Sequence, residues 1–394
     1  MAGNGFAVEY ASLQINNLIP MNRLFGRRRQ EKKNTATDGP GYSHLDIANR
    51  NMRVVMEALR RAGPYSRQEL STLTGLTQTA LTTILRKLQS AGYVREQRRQ
   101  KVEGERYTQN EFWLNADGAL AIGLRVRQYN SELLLLDITG QVRAHEYCPA
   151  IADLPAALAQ FRQCGAGQGK CIGIGVVCDR EVAIDMAQIQ EVVPELPFYQ
   201  RSDIGAAVMA EHLLGSHNTH DGAVMVIIDD TVRAGLLVSG RPFEGVHGLA
   251  GRIGMMRTGK DRTQLNDSLS TRTLMPLLDE GQWNLLKADH QDSCTWTPEL
   301  EHWVQNAASH LLDATVAIAG FLAPGVIMIG GDLPKPMIER LISDMKAEQI
   351  DKAKRLMTSP WMPEITASTF VHGGIAVGAA LLPFQQRLLP YAGY

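Results

Sequence analysis

Six side chains in one short stretch, Gln78, Thr79, Thr82, Thr83, Arg86 and Lys87, are of types that read a nucleic acid, and their spacing lays them along one face of a helix. Gln and Thr near the start of such a helix offer short donors and acceptors to base edges, and the two cations near its end suit phosphates. A second basic group follows: Arg98, Arg99, Lys101 and Arg106 surround Gly104 and suit phosphates or the minor groove. These residues point to a double-stranded DNA operator as partner.

The elements that must position them are legible from periodicity and caps. Asn49 to Arg61 places Met52, Val55, Met56 and Leu59 on one helical face, and Ala62-Gly63-Pro64 stops it. A second helix starts at Ser66 with Glu69 three residues on, a capping box, and turns Leu70 and Leu73 inward before Gly75. A third runs from the N-cap Thr77 to Gln89 with Ala80, Leu81, Ile84, Leu85 and Leu88 inward, and Gly92 ends it. Two helices joined by the tight turn Thr74-Gly75-Leu76-Thr77 form a helix-turn-helix, whose second helix enters the major groove. Tyr93–Glu96 and Glu111–Leu114 read as two strands of a wing with a basic tip. We therefore expect a winged helix-turn-helix over residues 44–115, preceded at 1–43 by a basic tail. That tail carries Arg23, Arg27, Arg28, Arg29, Lys32 and Lys33, has too little apolar surface to order itself, and is placed to add phosphate contacts.

The charge distribution agrees. The 394 residues hold 40 Lys+Arg and 41 Asp+Glu. Up to Asn115 there are 18 basic and 10 acidic residues, a balance of +8, leaving 22 and 31, or −9, for the remainder. A basic quarter joined to an acidic remainder confines the DNA contact to the first part. Cys148, Cys164, Cys171, Cys178 and Cys294 are odd in number and irregularly spaced, the pattern of free thiols in a reducing compartment. The start of the chain lacks a continuous apolar core of signal-peptide type, and no run reaches the ~18 apolar residues of a membrane span. The expectation is a cytoplasmic protein without a membrane partner.

Beyond Asn115 the pattern becomes α/β. Ala119 to Asp137 and Gln141 to Tyr147 read as a three-strand meander, followed by a helix over Leu154–Gln163, a buried strand over Cys171–Val177 and a helix over Asp203–Leu214. Strands then recur at Ala223–Ile228 and Ala234–Ser239, and after a Gly-rich loop and helices comes Val326–Ile329 with a helix from Met337. A meander-then-helix order that occurs twice implies two similar α/β halves within 116–394.

Several segments resemble the ROK family of repressors and sugar kinases. Ser66–Leu70 with Thr74–Thr77 is similar to the start of its repressors, Ile172–Val176 to its central strand, and Ser202–Ala207 with Ala210-Glu211 to its Asn-Asp helix. Gly245–Met255 resembles its signature loop and Ala323–Gly331 its late strand. The resemblance implies an α/β, actin-like (ribonuclease H-like) two-lobed domain behind the winged helix, serving effector binding and dimerisation. Against the family's kinases, the Asp-x-Gly-Gly-Thr loop is replaced by Leu124-Arg125-Val126-Arg127-Gln128-Tyr129, so side chains fill the place where backbone must approach phosphate. The second phosphate loop reads Asp229-Asp230-Thr231-Val232-Arg233-Ala234-Gly235, whose carboxylates repel a triphosphate. Met255 stands where zinc-binding members have His, and residues 256–293 hold no Cys, so no metal is expected at the family's zinc site, and no cofactor. At the sugar pocket Asp203 is retained, whereas Ser202, Arg252 and Met255 replace Asn, Glu and His. Asp203, His247 and Arg252 are the candidate effector-binding residues, Arg252 suiting an anionic sugar such as a sugar phosphate or sugar acid. Two other readings stay open at that pocket: Asp203 is a helix N-cap, or Arg252 pairs with Asp203 or another internal acid.

The resulting expectation is a DNA-binding transcriptional regulator, a repressor of sugar or carbon metabolism genes and not an enzyme, acting as homodimer or homotetramer on a palindrome. The rival readings are a sugar kinase with an appended DNA-binding domain and a regulator controlled by a protein partner.

Overall fold

The computed structural model describes residues 44–98, 110–127, 129–165, 169–178, 182, 186–279, 296–356, 362–370 and 374–389. Leu45 to Tyr394 cluster as one compact unit, separate from Met1–His44. The wing tip at 99–109, with Arg99, Lys101 and Arg106, and the tail at 1–43 lie outside the described residues.

The unit opens with α1 (His44–Ala62), β1 (Tyr65–Ser66), α2 (Arg67–Thr74), α3 (Gln78–Ser90), β2 (Val94–Arg98) and β3 (Asn110–Leu114). Helix α1 begins five residues before the periodicity indicates, because His44–Ala48 are polar or unpatterned and only the inward face betrays the helix. Ser66 and Glu69 form the reciprocal capping box, Gly75 takes the left-handed conformation at φ 69° that ends α2, and Thr77 caps α3. Strand β1 pairs with β3, giving a three-stranded wing sheet β1-β3-β2 where periodicity shows two strands. One inward assignment fails. Leu73 is 57% exposed, since only Leu70 of α2 is buried and Leu73 lies about 60° further round the helix.

The rest is a duplicated sheet. The first lobe orders β4 (Leu120–Val126), β5 (Tyr129–Asp137), β6 (Val142–Ala150), β7 (Cys171–Cys178) and β8 (Phe198–Gln200) as β6-β5-β4-β7-β8. The second orders β9 (Ala223–Ile228), β10 (Val232–Val238), β11 (Arg241–Phe243), β14 (Val326–Gly331) and β15 (Glu364–Ala367) as β11-β10-β9-β14-β15. In each, an antiparallel meander is extended by two parallel strands. The parallel centre reads as continuous apolar runs, as a strand covered on both faces requires. Between β11 and β14 lie the two-stranded β12 (Arg257–Thr258) and β13 (Thr263–Gln264), α7 (Leu265–Leu269), α8 (Thr271–Leu274) and the 25-residue α9 (Pro298–Leu322).

Two helices hold the centre: α6 (Asp203–Leu214) and, after α4 (Leu154–Gly165), α5 (Met186–Val192) and α10 (Lys335–Leu356), the last helix α11 (Gly374–Arg387). They approach backbone to backbone. A Cβ on Gly378 of α11 would lie 1.9 Å from the Ala206 carbonyl oxygen of α6, and one on Gly175 of β7 would lie 1.7 Å from that of Ala379. Small residues are therefore obligatory here.

The winged helix-turn-helix is welded to this centre. Val55, Met56 and Leu59 of α1 share one buried apolar cluster with Leu81, Leu85 and Leu88 of α3 and with Leu381, Phe384 and Leu388 of α11 and its end. Arg53 donates to the carbonyls of Gln385 (3.3 Å), Gln386 (2.7 Å) and Leu389 (2.9 Å), satisfying acceptors that the end of α11 leaves open. Arg60 donates to the Leu213 carbonyl in the last turn of α6 and is oriented by Glu57. One helix thus caps both central helices with cations, where the macrodipole favours them.

Two outcomes follow. Gly378→Ala should lose about 1–3 kcal/mol of stability in urea unfolding through overpacking, and an unchanged midpoint would show that α6 and α11 separate freely. Arg53→Ala should expose the end of α11, seen as faster amide exchange over 384–389, with protection in β9 and β14 unchanged.

Candidate DNA interface and effector cleft

On α3, Leu81, Ile84, Leu85 and Leu88 are buried, which turns Gln78, Thr79, Thr83, Arg86 and Lys87 to solvent with Thr82 half-buried. All six expected side chains therefore share the outer face. The Thr82 hydroxyl donates to the Gln78 carbonyl (2.8 Å) and that of Thr83 to the Thr79 carbonyl (3.2 Å), so the two threonines present oxygen lone pairs and methyl groups outward. Such methyls suit thymine, and the Gln78 amide and the Thr79 hydroxyl are exposed donors in the first turn. The turn ahead of α3 is braced by Ser71, whose hydroxyl donates to the Leu76 carbonyl at 2.6 Å, and by Thr74 to the Leu70 carbonyl at 2.6 Å. Arg98 ends β2 opposite Asn110 and is exposed.

The cleft between the lobes holds a buried charge network. Arg125, at the end of β4 and 3% exposed, lies 3.0 Å from Glu132, 3.5 Å from Asp332 and 3.9 Å from Asp229. Arg127 reaches Asp332 at 2.9 Å, and Arg233 of β10 pairs with both Asp203 and Asp229. His145 of β6 stands 3.4 Å from Glu132. Three guanidinium groups thus meet four carboxylates, and the Arg125 and Arg127 contacts with Asp229 and Asp332 cross from the first lobe to the second. Burial works to raise the Glu132 pKa, but hydrogen bonding from His145 and the Arg125 charge outweigh it and hold the carboxyl below its ordinary value. Burial wins at Asp229, whose pKa is raised despite Arg233 and Arg125.

The network occupies the two phosphate-loop positions read from the sequence. A buried arginine stands where a phosphate cradle needs bare backbone, and the neighbouring carboxylates are spent on internal cations, so the residues present do not fit a nucleotide with its magnesium. Nor do they fit zinc: Met255 is exposed, residues 256–279 carry neither His nor Cys, and among the described residues no group of three or more His, Cys, Asp and Glu is placed to hold a metal. His290 and Cys294 lie outside the described residues.

The effector candidates are dispersed. Ser202, not Asp203, is the N-cap of α6, accepting from the Gly205 N–H at 3.2 Å and donating to Glu244 at 2.9 Å. Asp203 is buried, its carboxylate divided between Arg233 and the Ile204 N–H (2.7 Å). Its partner is Arg233, a residue of the altered phosphate loop, and not Arg252. Arg252 and His247 are exposed on the loop after β11, His247 with φ 53°. Sequence reasoning missed Glu132, His145 and Asp332. No local motif marks them, and the Arg127–Asp332 contact spans 205 positions.

Comparison with known proteins agrees with this geometry. The model of the ROK family matches residues 183–386, just over half of the chain, and a winged helix-turn-helix DNA-binding model matches residues 49–95. Among similar proteins, the DNA-binding transcriptional dual regulator NagC of Escherichia coli is 24% identical over 343 residues, covering 74% of this chain and 84% of its own. The xylose repressor of Bacillus subtilis is 22% identical over 246 residues, covering 54% of this chain and 63% of its own. A crystal structure of a ROK family transcriptional regulator, a homolog of the E. coli MLC protein, shares the fold with a TM-score of 0.63 at 19% identity, covering 87% of this chain and 96% of that one. Among the described residues no helix is long and apolar enough to cross a membrane. With an exposed recognition helix ahead of a duplicated two-lobed domain, the chain belongs to the ROK family and is a DNA-binding transcriptional regulator within it.

Proposed function

We propose that the protein represses genes of carbohydrate uptake or use by binding operator DNA through α3 and the wing, and that it performs no phosphotransfer. The observation that carries this is the joint placement of a polar and basic outer face on α3 and an internally paired charge network in the cleft. Gln78, Thr79, Thr82 and Thr83 face base edges, and Arg86, Lys87, Arg98, Arg99, Lys101 and Arg106 neutralise phosphates. A single recognition helix spans only a few base pairs, so a homodimer or homotetramer supplies the second half-site. Repression of sugar genes follows the names of NagC-type and xylose repressors. The effector is an anionic sugar held by exposed Arg252 and His247, with Asp203 fixing Arg233 beneath the loop. Calorimetry with neutral and phosphorylated sugars tests this; no heat from any anionic sugar would remove the effector.

DNA contact is tested on a mixed-sequence duplex by fluorescence anisotropy across a salt series. Arg86→Ala should weaken binding and lower the slope of log affinity against log salt by about one. An unchanged slope would take Arg86 out of the interface. With ATP, magnesium and a panel of hexoses, the protein should give no turnover in a coupled assay, and turnover of any hexose would overturn the non-enzymatic reading.

The network itself should behave as structure. Arg125→Ala leaves Glu132, Asp229 and Asp332 without their shared cation and should cost about 3–5 kcal/mol near neutral pH. Glu132 ionises below its ordinary value of 4.5 in the folded chain, so its stabilisation is present above that pH and is lost as the pH falls through the folded value. Asp229, raised above 3.8, runs the opposite way and loses its contribution as the pH rises through its folded value. The stranded carboxylates of Arg125→Ala take up protons more readily still, so the deficit should narrow as the pH falls toward 4.5 in chemical denaturation. A pH-independent deficit would contradict the charge assignment.

A further inference from the structure

A cavity of about 1360 Å³ lies between α1 and α2 of the DNA-reading part and β8, α6 and β11 of the two-lobed part. Asp203, His247 and Arg252 do not line it, although Ser202, Glu244 and Gly245 do, so it adjoins the effector loop proposed above without including its candidate residues. Its volume exceeds the ~300–1,000 Å³ of ordinary small-molecule pockets, leaving space for a sizeable ligand with bridging water.

The walls are of two kinds. Val54, Ala58, Leu73, Met209, Leu213 and Leu389 supply the apolar lining. Leu73 is the leucine that departs from the core of α2, and this cavity is what it faces. The charged lining is Arg61, Arg201 and Arg241 with Glu57 and Glu244, three cations to two anions. Glu57 is taken by Arg60 and Arg61, and Glu244 accepts from Ser202. Arg201 is left over. Its guanidinium makes no hydrogen bond or ion pair among the described residues, and burial lowers its pKa with only the more distant charge of Glu244 in opposition. A half-buried guanidinium has up to five donors to satisfy and no acceptor of its own.

We infer that this cavity binds a small organic anion, its carboxylate or phosphate on Arg201 and its apolar body against Leu73, Met209 and Leu213. Such a ligand touches α1 and α2 together with α6 and β11, and α1 is tied to α6 by Arg60. Any difference in its affinity between the DNA-bound and free forms becomes a change in operator affinity of equal factor.

The test uses the full chain and 8-anilinonaphthalene-1-sulfonate, an aromatic anion that fluoresces when withdrawn from water. Wild type should show saturable enhancement at one site per chain. Arg201→Gln should weaken that binding about tenfold or more, the usual weight of a charge-assisted hydrogen bond. Leu73→Asp, which sets a like charge in the apolar wall at an exposed position, should do the same. Arg252→Gln, at a residue that does not line the cavity, should bind as wild type does. Both Arg201→Gln and Leu73→Asp should keep the wild-type melting temperature within a few degrees, which separates loss of the site from loss of the fold. Absence of saturable binding, wild-type affinity in Arg201→Gln, or a loss confined to Arg252→Gln would each overturn the assignment. The readout needs no operator, so its failure leaves the DNA-binding reading standing.

Discussion

The buried Arg125 guanidinium constrains everything around it. A charge at 3% exposure is sustained only if carboxylates and hydrogen bonds surround it, and here they are drawn from both lobes: Glu132 from the first, Asp229 and Asp332 from the second. The lobes of this fold are therefore closed on an internal cation. The chain bridges its two halves with its own side chains, and the end of β4 is committed to that bridge. The same commitment explains the altered second loop. Asp229 and Arg233 are partners in the network, and through Arg233 it reaches Asp203 at the start of α6.

From there the path to the DNA-reading part is short and made of rigid parts. Helix α6 runs from Asp203 beside the network to Leu213, whose carbonyl accepts from Arg60 of α1. Helix α11, in backbone contact with α6 at Gly378, ends on Arg53 of the same α1. The winged helix is thus no module on a string. It shares an apolar cluster with α11, so any change in lobe angle that moves α6 against α11 strains the two caps of α1. That arrangement gives a physical route by which occupancy of the cleft or of the cavity beneath α1 biases the recognition helix.

Much of this was legible in the chain. The capping box at Ser66 and Glu69, Gly75 at positive φ and the N-cap Thr77 are local devices, and they fix α2 and α3 without reference to anything distant. The doubled meander was readable because parallel central strands such as Ala223–Ile228 are uniformly apolar. What failed was non-local. Leu73 follows the apolar period, yet its surroundings are a cavity wall, and no pattern within α2 distinguishes the two. The two-residue β1 is too short for any periodicity and exists through its pairing with β3. Asp203 was recognisable at a helix start, but its partner Arg233 lies 30 positions on, on the strand β10 that packs against α6, so proximity had to come from the fold.

The central claim is that the basic face of α3 reads specific DNA while the cleft behind it has become structure. Genome-wide mapping of binding sites for the full-length protein tests this most directly. The account predicts a small set of sharply enriched sites, each with two related half-sites about one or more helical turns apart, beside genes of carbohydrate use, and their loss when Gln78 and Arg86 are replaced by Ala. Uniform recovery of the genome, or enrichment that survives those replacements, would contradict it.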